Sequence, residues 1–270
     1  MRDLKELFGE LVKAGVHFGH QKSRWCPKMK QYIWGYKNGV HLINVALTAD
    51  HLRKAERFLE TVAADGKPVL WVGTKKAASK SIADIGTRLN QPFVNHRWLG
   101  GTLLNWSQVK KSLTRLLHYE DVLAKSEANP FYTKKELNLY KKTAEKLEKT
   151  VGGIRKLMLP VGAIVIVDVS KEQSAVKEAA LMGVPVIGIV DTNSDPSDID
   201  FVIPANDDSP QSVSLILNEL AAAVERGNEI AAKKVKEESG KKAEAKEKSP
   251  IIEDVPSDVE IALQQLEAQE

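Results

Sequence analysis

FVNHRWLGGTLLNW, running from Phe93 to Trp106, separates two kinds of sequence. Before it, and again well after it, short apolar runs alternate with amphipathic segments, the pattern of strands alternating with helices. Directly after it comes a long heptad-patterned stretch that does not belong to that alternation. The segment itself crowds His96, Arg97, Trp98 and Trp106 around the adjacent glycines Gly100 and Gly101. Paired glycines give the backbone freedom and allow close approach. Arg beside Trp offers a planar fork for phosphate and a flat face for stacking. The plainer reading is a turn ahead of a helix, with two tryptophans in the core.

Working forward, Trp106, Val109, Leu113, Leu116 and Leu123 fall three and four residues apart, with Glu120 interrupting at the remaining position. Asn129-Pro130 then breaks the helix, because Pro cannot continue one. A return helix carries Leu137, Tyr140, Ala144, Leu147, Val151 and Ile154 at the same spacing. Two such seams around a short break predict an antiparallel coiled-coil hairpin. Its arms of about 22 residues would project roughly 30 Å at 1.5 Å per residue. The outer faces bear Lys110, Lys111, Arg115, Lys134, Lys135, Lys141, Lys142, Lys146 and Lys149. Charges of this kind ordinarily mark a solvated face, and on a projecting arm they also suit RNA.

Working outward from the pivot in both directions gives the alternation. On the amino-terminal side, Leu4, Leu7, Leu11 and Val12 make one apolar helical face. VHLINV follows the Asn38-Gly39 turn signal as a short strand. An amphipathic helix spans Leu47 to Val62, a buried strand runs from Val69 to Gly73, and a helix ends near Leu89. On the other side come strands at Ala163–Val169 and Val184–Asn193 and a short one ending at Pro204, with helices at Ser174–Met182 and Ser212–Arg226. This order calls for a parallel sheet with right-handed crossovers. Strand, glycine, helix at Gly73 is the phosphate-binding arrangement of nucleotide folds. Yet Gly73 is followed by Thr74-Lys75-Lys76-Ala77, which matches neither glycine-rich phosphate fingerprint. The scaffold is α/β without its nucleotide chemistry, and Lys75 and Lys76 remain as candidate RNA-contacting cations.

Composition sets limits. The chain has 270 residues, 43% hydrophobic and 28% charged, enough to bury a core of one or two domains. No apolar run approaches the roughly 18 residues of a membrane span. MRDLKELFGELVKAG mixes acids with bases and fits neither a secretory nor a transit peptide. A single cysteine, Cys26, excludes an intramolecular disulfide and suits a reducing compartment. Residues 228–270 hold seven Lys against eleven Asp and Glu, a charge of −4, which leaves +7 for residues 1–227 of a chain whose net charge is +3. A basic body with an acidic tail is compatible with a polyanionic partner. The Lys, Glu and Ala richness past Gly227, with Ser249-Pro250, predicts a disordered tail. SDVEIALQQLEAQE at its end would form a short amphipathic helix on docking.

Two chemistries compete for the remaining motifs. QKSRWCPKMKQYIWGYKNG interleaves Lys22, Arg24, Lys28, Lys30 and Lys37 with Trp25, Tyr32, Trp34 and Tyr36. Cations for phosphates alternating with rings for bases is what RNA surfaces use. The plainer alternative is a hairpin whose aromatics pack inward. Structured RNA would be read through phosphate contacts from Lys and Arg, with Trp25 or Trp98 stacking and Arg97 as a bidentate phosphate ligand. The second chemistry is a metal. Asp191, Asp207 and Asp208 follow the carboxyl ends of strands, where open α/β sheets hold ligands, and His17 or His20 of AGVHFGH would complete a site for Zn or Mg. Helix capping and loop hydrogen bonds explain those aspartates equally well. A metal- or small-ligand-binding protein or enzyme is thus the alternative function, although no nucleophile and base stand at persuasive positions.

Taken together, AGVHFGH, RWCPKM, NGVHLIN, VGTKKAA, NHRWLGGTLLN, IVDVSKEQSAVKEA and GVPVIGIVDTNSDPSDIDFVIPANDDS occur in an order that strongly resembles the S-two family of bacterial and organellar ribosomal proteins. The likeness runs from about Leu4 to Arg226. It implies a flavodoxin-like (Rossmann-like) parallel sheet, discontinuous over residues 1–103 and 158–227, with the hairpin inserted at 104–157 and the tail, 228–270, outside it. It also implies a structural, non-enzymatic constituent of the small ribosomal subunit that requires no cofactor. Such a protein binds small-subunit ribosomal RNA and neighbouring proteins, among them the large, messenger-holding first protein, in a cytoplasmic or organellar ribosome. The sequence departs from the family at Val161-Gly162, where an acidic residue usually follows the proline, and at Leu104, where threonine is common; neither touches the RNA reading.

Overall fold

The computed structural model describes residues 4–125 and 132–247. The chain divides into two units, Met1–Ala231 and Ala232–Glu270, and both sheets belong to the first. Its elements are α1 (Leu4–Lys13), β1 (Phe18–Gln21), β2 (Ile33–Lys37), β3 (Val40–Ile43), α2 (Val45–Ala64), β4 (Val69–Val72), α3 (Lys76–Leu89) and β5 (Phe93–Val94). Then follow α4 (Trp106–Lys125), α5 (Lys134–Val151), β6 (Ala163–Val167), α6 (Gln173–Met182), β7 (Val186–Val190), β8 (Phe201–Pro204) and α7 (Pro210–Glu247).

Five parallel strands lie in the order β5-β4-β6-β7-β8, which is the flavodoxin-like order once the strands are counted from β4. Successive side chains alternate between the two faces. Val69, Trp71, Val165 and Ile189 point to one face, where α1, α2, α3 and α7 bring Leu11, Leu52, Ile82 and Leu217. Leu70, Val72, Ile164 and Ile166 point to the other, against α6 and the roots of α4 and α5. Cover on both faces is why the strands read as unbroken apolar runs.

The connection from β7 to β8 carries no helix, so α2 covers that edge of the sheet instead. Thr48 Oγ1 of α2 donates to the Pro204 carbonyl at 2.6 Å, and His51 Nδ1 lies 2.7 Å from the Val202 carbonyl. A carbonyl only accepts, so that ring nitrogen carries the proton. Outward carbonyls of an edge strand invite pairing with another chain, and these two are closed off.

A second, antiparallel sheet has the order β1-β3-β2. Asn38 and Gly39, with φ of 51° and 83°, make the left-handed turn that their dipeptide predicts. Between β5 and β6, where a single crossover helix would serve, stand α4 and α5, packed antiparallel. Tyr119 stacks on Tyr140 with ring centroids 5.3 Å apart. Val109, Leu113, Leu116, Ala144 and Val151 are buried together with the face of the main sheet, and Val122, farther along α4, is buried as well, broadening the expected three-four seam. Glu120, the interruption in that seam, is clasped by Arg155, which also binds Glu148. The break at Asn129-Pro130 lies outside the described residues.

Two elements differ from expectation. β5 is only two residues long, too short for any periodicity, and it sits inside the pivot stretch as a partner of Trp71 and Val72. Helix α7 runs to Glu247, past the expected end at Arg226 and through residues where disorder is predicted. The Ala, Lys and Glu content that argues against a packed core is also strongly helix-forming. The rest of the predicted tail, residues 248–270, lies outside the described residues.

Candidate nucleic-acid interface

The glycines of AGVHFGH do structural work at the carboxyl edge of the main sheet. Gly15 takes φ of 76°, and its carbonyl accepts from Asn206 Nδ2 at 3.1 Å. Gly19 passes so close to the β7 end that a Cβ there would meet the Thr192 side chain at 2.6 Å. The backbone N–H of His20 donates to Thr192 Oγ1 at 2.8 Å, and that of Cys26 to the Thr192 carbonyl at 2.7 Å. The DTN and IPANDD loops are thus the dock for the amino-terminal turn, which they fix to the sheet.

The aspartates of those loops do converge, but with His20 and not with His17. Ligand atoms of His20, Asp191, Asp207 and Asp208 all lie within 4.8 Å of one another. His17 packs against Phe18, at 4.1 Å between ring centroids. A cation already stands among the acids. Lys75 Nζ is 2.7 Å from Asp207, 2.5 Å from Asp208 and 3.7 Å from Asp168. His20 bridges Asp191 at 3.1 Å and Asp208 at 3.4 Å. Burial works against the Lys75 charge, but its bonds to Asp207 and Asp208 outweigh that and raise its pKa. Burial, with the neighbouring Asp191 charge, pushes Asp207 up to about 7. The hydrogen bond to Asp191 raises His20 despite desolvation, and Lys75 lowers Asp208. An ammonium and an imidazole already stand among these acids, and burial favours the protonated form of Asp207, so the donor set does not call for Zn or Mg. Lys75, proposed above as an RNA contact, is instead an internal counter-ion.

Trp98 is corrected in the same way. It is 7% exposed, and its Nε1 donates to Glu178 Oε1 at 3.0 Å. The N–H groups of Gly101 and Leu103 donate to the same carboxylate at 2.8 and 3.0 Å. One acid on α6 therefore organises the whole RWLGG turn, and the indole is not offered to a base. Arg97 stays exposed on the rim of that turn. Trp25 is half-buried, its ring 5.2 Å from that of His41, and Lys28 pairs with Asp195 at 2.7 Å.

What faces outward is a different pair of rings. Trp34 and Tyr36 of β2 are 73% and 56% exposed, while Met29 of the same segment is buried. The aromatics of this stretch do not all pack inward. Lys22 Nζ stands 5.8 Å above the Tyr36 ring, and Arg24, Lys30 and Lys37 are exposed in the same segment. The interleaving of rings and cations marks the segment, but nothing in it singles out Trp34 and Tyr36 over Trp25. On the helix pair, Lys110, Lys111 and Arg115 are exposed along α4, and Lys134, Lys135, Lys141, Lys142, Lys146 and Lys149 along α5. Among the described residues, no helix is long and apolar enough to cross a membrane.

Comparison with known proteins bears on the whole of this architecture. The chain is similar to the small ribosomal subunit protein uS2 of Salinispora arenicola, 45% identical over 218 residues that cover 81% of this chain and 78% of that protein. The uS2 proteins of Kocuria rhizophila and Bifidobacterium longum are 46% and 44% identical over 218 residues, covering 81% of this chain and 76% and 78% of theirs. The family model described as ribosomal protein S2 matches residues 11–227, from the buried Leu11 of α1 through both sheets and the helix pair to Gly227 of α7. On this match and these identities, the chain belongs to the ribosomal protein S2 family.

Proposed function

We propose that the chain is a structural, non-enzymatic constituent of the small ribosomal subunit that binds small-subunit ribosomal RNA and neighbouring ribosomal proteins. The observation that carries the RNA reading is the exposure of the Trp34 and Tyr36 rings on β2, set among Lys22, Arg24, Lys30 and Lys37. Exposed large rings are costly to leave in water unless a partner covers them, and cations beside them favour a polyanion. Phosphate contacts from these cations and from the lysines of α4 and α5 supply most of the affinity and make it salt-dependent. The main sheet acts as the frame that fixes the two basic surfaces relative to each other, with the helix pair, 104–157, as an insertion in a discontinuous α/β domain. The large first protein of the subunit is a neighbour on this reading, the place of work is the cytoplasmic or organellar ribosome, and no cofactor is needed. Sedimentation of the full chain with small subunits that lack this protein tests the function. Co-migration at moderate salt is expected, and Trp34→Ala with Tyr36→Ala should weaken it, since each stacked base contributes about 1–3 kcal/mol. A wild-type chain that sediments free of the subunit at every salt concentration would overturn the reading.

A further inference from the structure

The order of the main sheet reverses beside β4: the chain leaves β4 for β5 on one side and later enters β6 on the other. Open α/β sheets hold their ligands in the crevice that such a reversal opens at the carboxyl ends of the strands. Here that crevice lies between Thr74, which follows β4, and Lys171 with Glu172, which follow β6. Two cavities of about 430 and 520 Å³ share Thr74, His96 and Lys171 in their walls. They do not include the Lys75–aspartate cluster.

The lining is unusually positive. Lys171, Arg97, Lys76 and Lys80 face the space, beside the ring of His96 and against the carboxyl groups of Asp84 and Glu172. Glu172 is 4% exposed and accepts the Thr74 hydroxyl; desolvation raises its pKa, which weakens its opposition to an anion. Among the described residues, Arg97, Lys76 and Lys80 form no ion pair, and Lys171 Nζ is engaged only with the Thr74 carbonyl, at 3.1 Å. Two helices also begin at these walls, α3 at Lys76 and α6 at Gln173, and neither has a side-chain cap. Their first N–H groups add donors to those of the basic side chains.

We propose that this crevice is a phosphate-binding site that takes a backbone phosphate of structured RNA, with Arg97 as its forked ligand and Lys171 opposite. The proposal rests on the RNA-binding reading above and locates a third contact for it, on the turn that Glu178 holds rigid. A free mononucleotide offers the same phosphate. Its base would find only the small exposed imidazole of His96, because Trp98, the other ring in the walls, is buried with its indole N–H taken. A polymer that brings its own stacking and needs only a phosphate contact suits the walls better.

Binding of the full chain to a labelled small-subunit ribosomal RNA transcript, followed by fluorescence anisotropy across a salt series, tests the site. Arg97→Gln with Lys171→Gln, both on exposed residues and checked for an unchanged melting temperature, should weaken binding about tenfold or more at moderate salt. It should also lower the slope of log affinity against log salt by about one to two. Arg97→Lys keeps the charge and loses the fork, so it should keep the slope while weakening binding. If the wild-type chain binds the transcript and the double variant binds with the same affinity and slope, the crevice is not a phosphate site and the RNA reading stands without it. If the wild-type chain fails to bind at all, the RNA reading itself fails. Titration with inorganic phosphate and with adenosine monophosphate separates the sources. Weak, millimolar binding that the double variant loses supports the site, whereas micromolar binding of the mononucleotide that RNA does not displace would overturn RNA as the ligand.

Discussion

Changing Glu178 to Gln, a substitution of nearly the same shape, should loosen the RWLGG turn from the sheet. In the native chain Oε1 receives Trp98 Nε1 and the Gly101 N–H, and Oε2 receives the Leu103 N–H. An amide has one oxygen. If it takes the Oε1 position, its NH2 group faces the Leu103 N–H, donor to donor, in a place only 6% exposed for Glu178 and 2% for Leu103. If it flips, two donors are stranded. One buried unsatisfied donor costs about 1–3 kcal/mol, and the two bonds that survive lose their charge assistance. The total is about 2–4 kcal/mol, a large part of the roughly 5–15 kcal/mol by which such domains are stable. Urea unfolding measures it as a lower midpoint at constant slope. Amide hydrogen exchange at Gly101 and Leu103 locates it, because those two N–H groups should lose protection well before the central strands do. Glu178→Ala should cost more, since it strands all three donors and leaves a cavity. A Gln variant within about 0.5 kcal/mol of wild type, with Gly101 and Leu103 still protected, would refute the claim that this carboxylate is the clamp, a shift of that size being ordinary for an unimportant surface site.

Two further outcomes follow from other buried or half-buried charges. Arg155→Met should lower stability by about 1 kcal/mol, modest because Arg155, Glu120 and Glu148 are partly solvated, while the double variant Glu120→Leu with Arg155→Met should match or exceed wild type; a double variant weaker than the single one would show that the clasp is not what stabilises the helix pair. Asp207 holds its proton up to about pH 7 in the folded chain, against a usual value of 3.8, so the folded state binds protons better across that window and stability should fall as pH rises through it. His20, raised above 6.5, adds a loss as pH rises through its folded value. Asp207→Asn should therefore flatten the decline in urea-derived stability between pH 5 and 8, by no more than about 3 kcal/mol; an equal or steeper decline in the variant would contradict the assigned shift.

Four of the five strands of the main sheet and most helices were legible because their burial is two-sided or striped, and both patterns survive in one dimension; the two-residue β5 was too short to show either. Periodicity also marked the helix pair, and the dipeptide Asn38-Gly39 marked its turn. The chemistry of the motifs was less legible, since residue type says what a side chain offers and not whether it is already taken. Lys75 and Trp98 read as available, and both are consumed internally, by the aspartates and by Glu178. His17 and His20 were indistinguishable by spacing, and it is the approach of Gly19 and His20 to Thr192 that sets His20 at the β7 end.

One trace of these internal clamps does lie in the sequence. Glu178 occupies the apolar stripe of α6, between Ala175 and Ala179. Glu120 interrupts the seam of α4. A carboxylate on an apolar stripe is too costly to bury alone, so each predicts a donor from elsewhere in the chain. For Glu120 that donor is Arg155, 35 residues on, and for Glu178 it is the pivot turn, 75 to 80 residues back. The stripe tells that a partner exists, while its identity comes only from the crossover that folds the turn of FVNHRWLGGTLLNW onto α6. The segment that divides the sequence into two patterns is held by a side chain outside it, and the exposed Arg97 owes its fixed position to that distant acid.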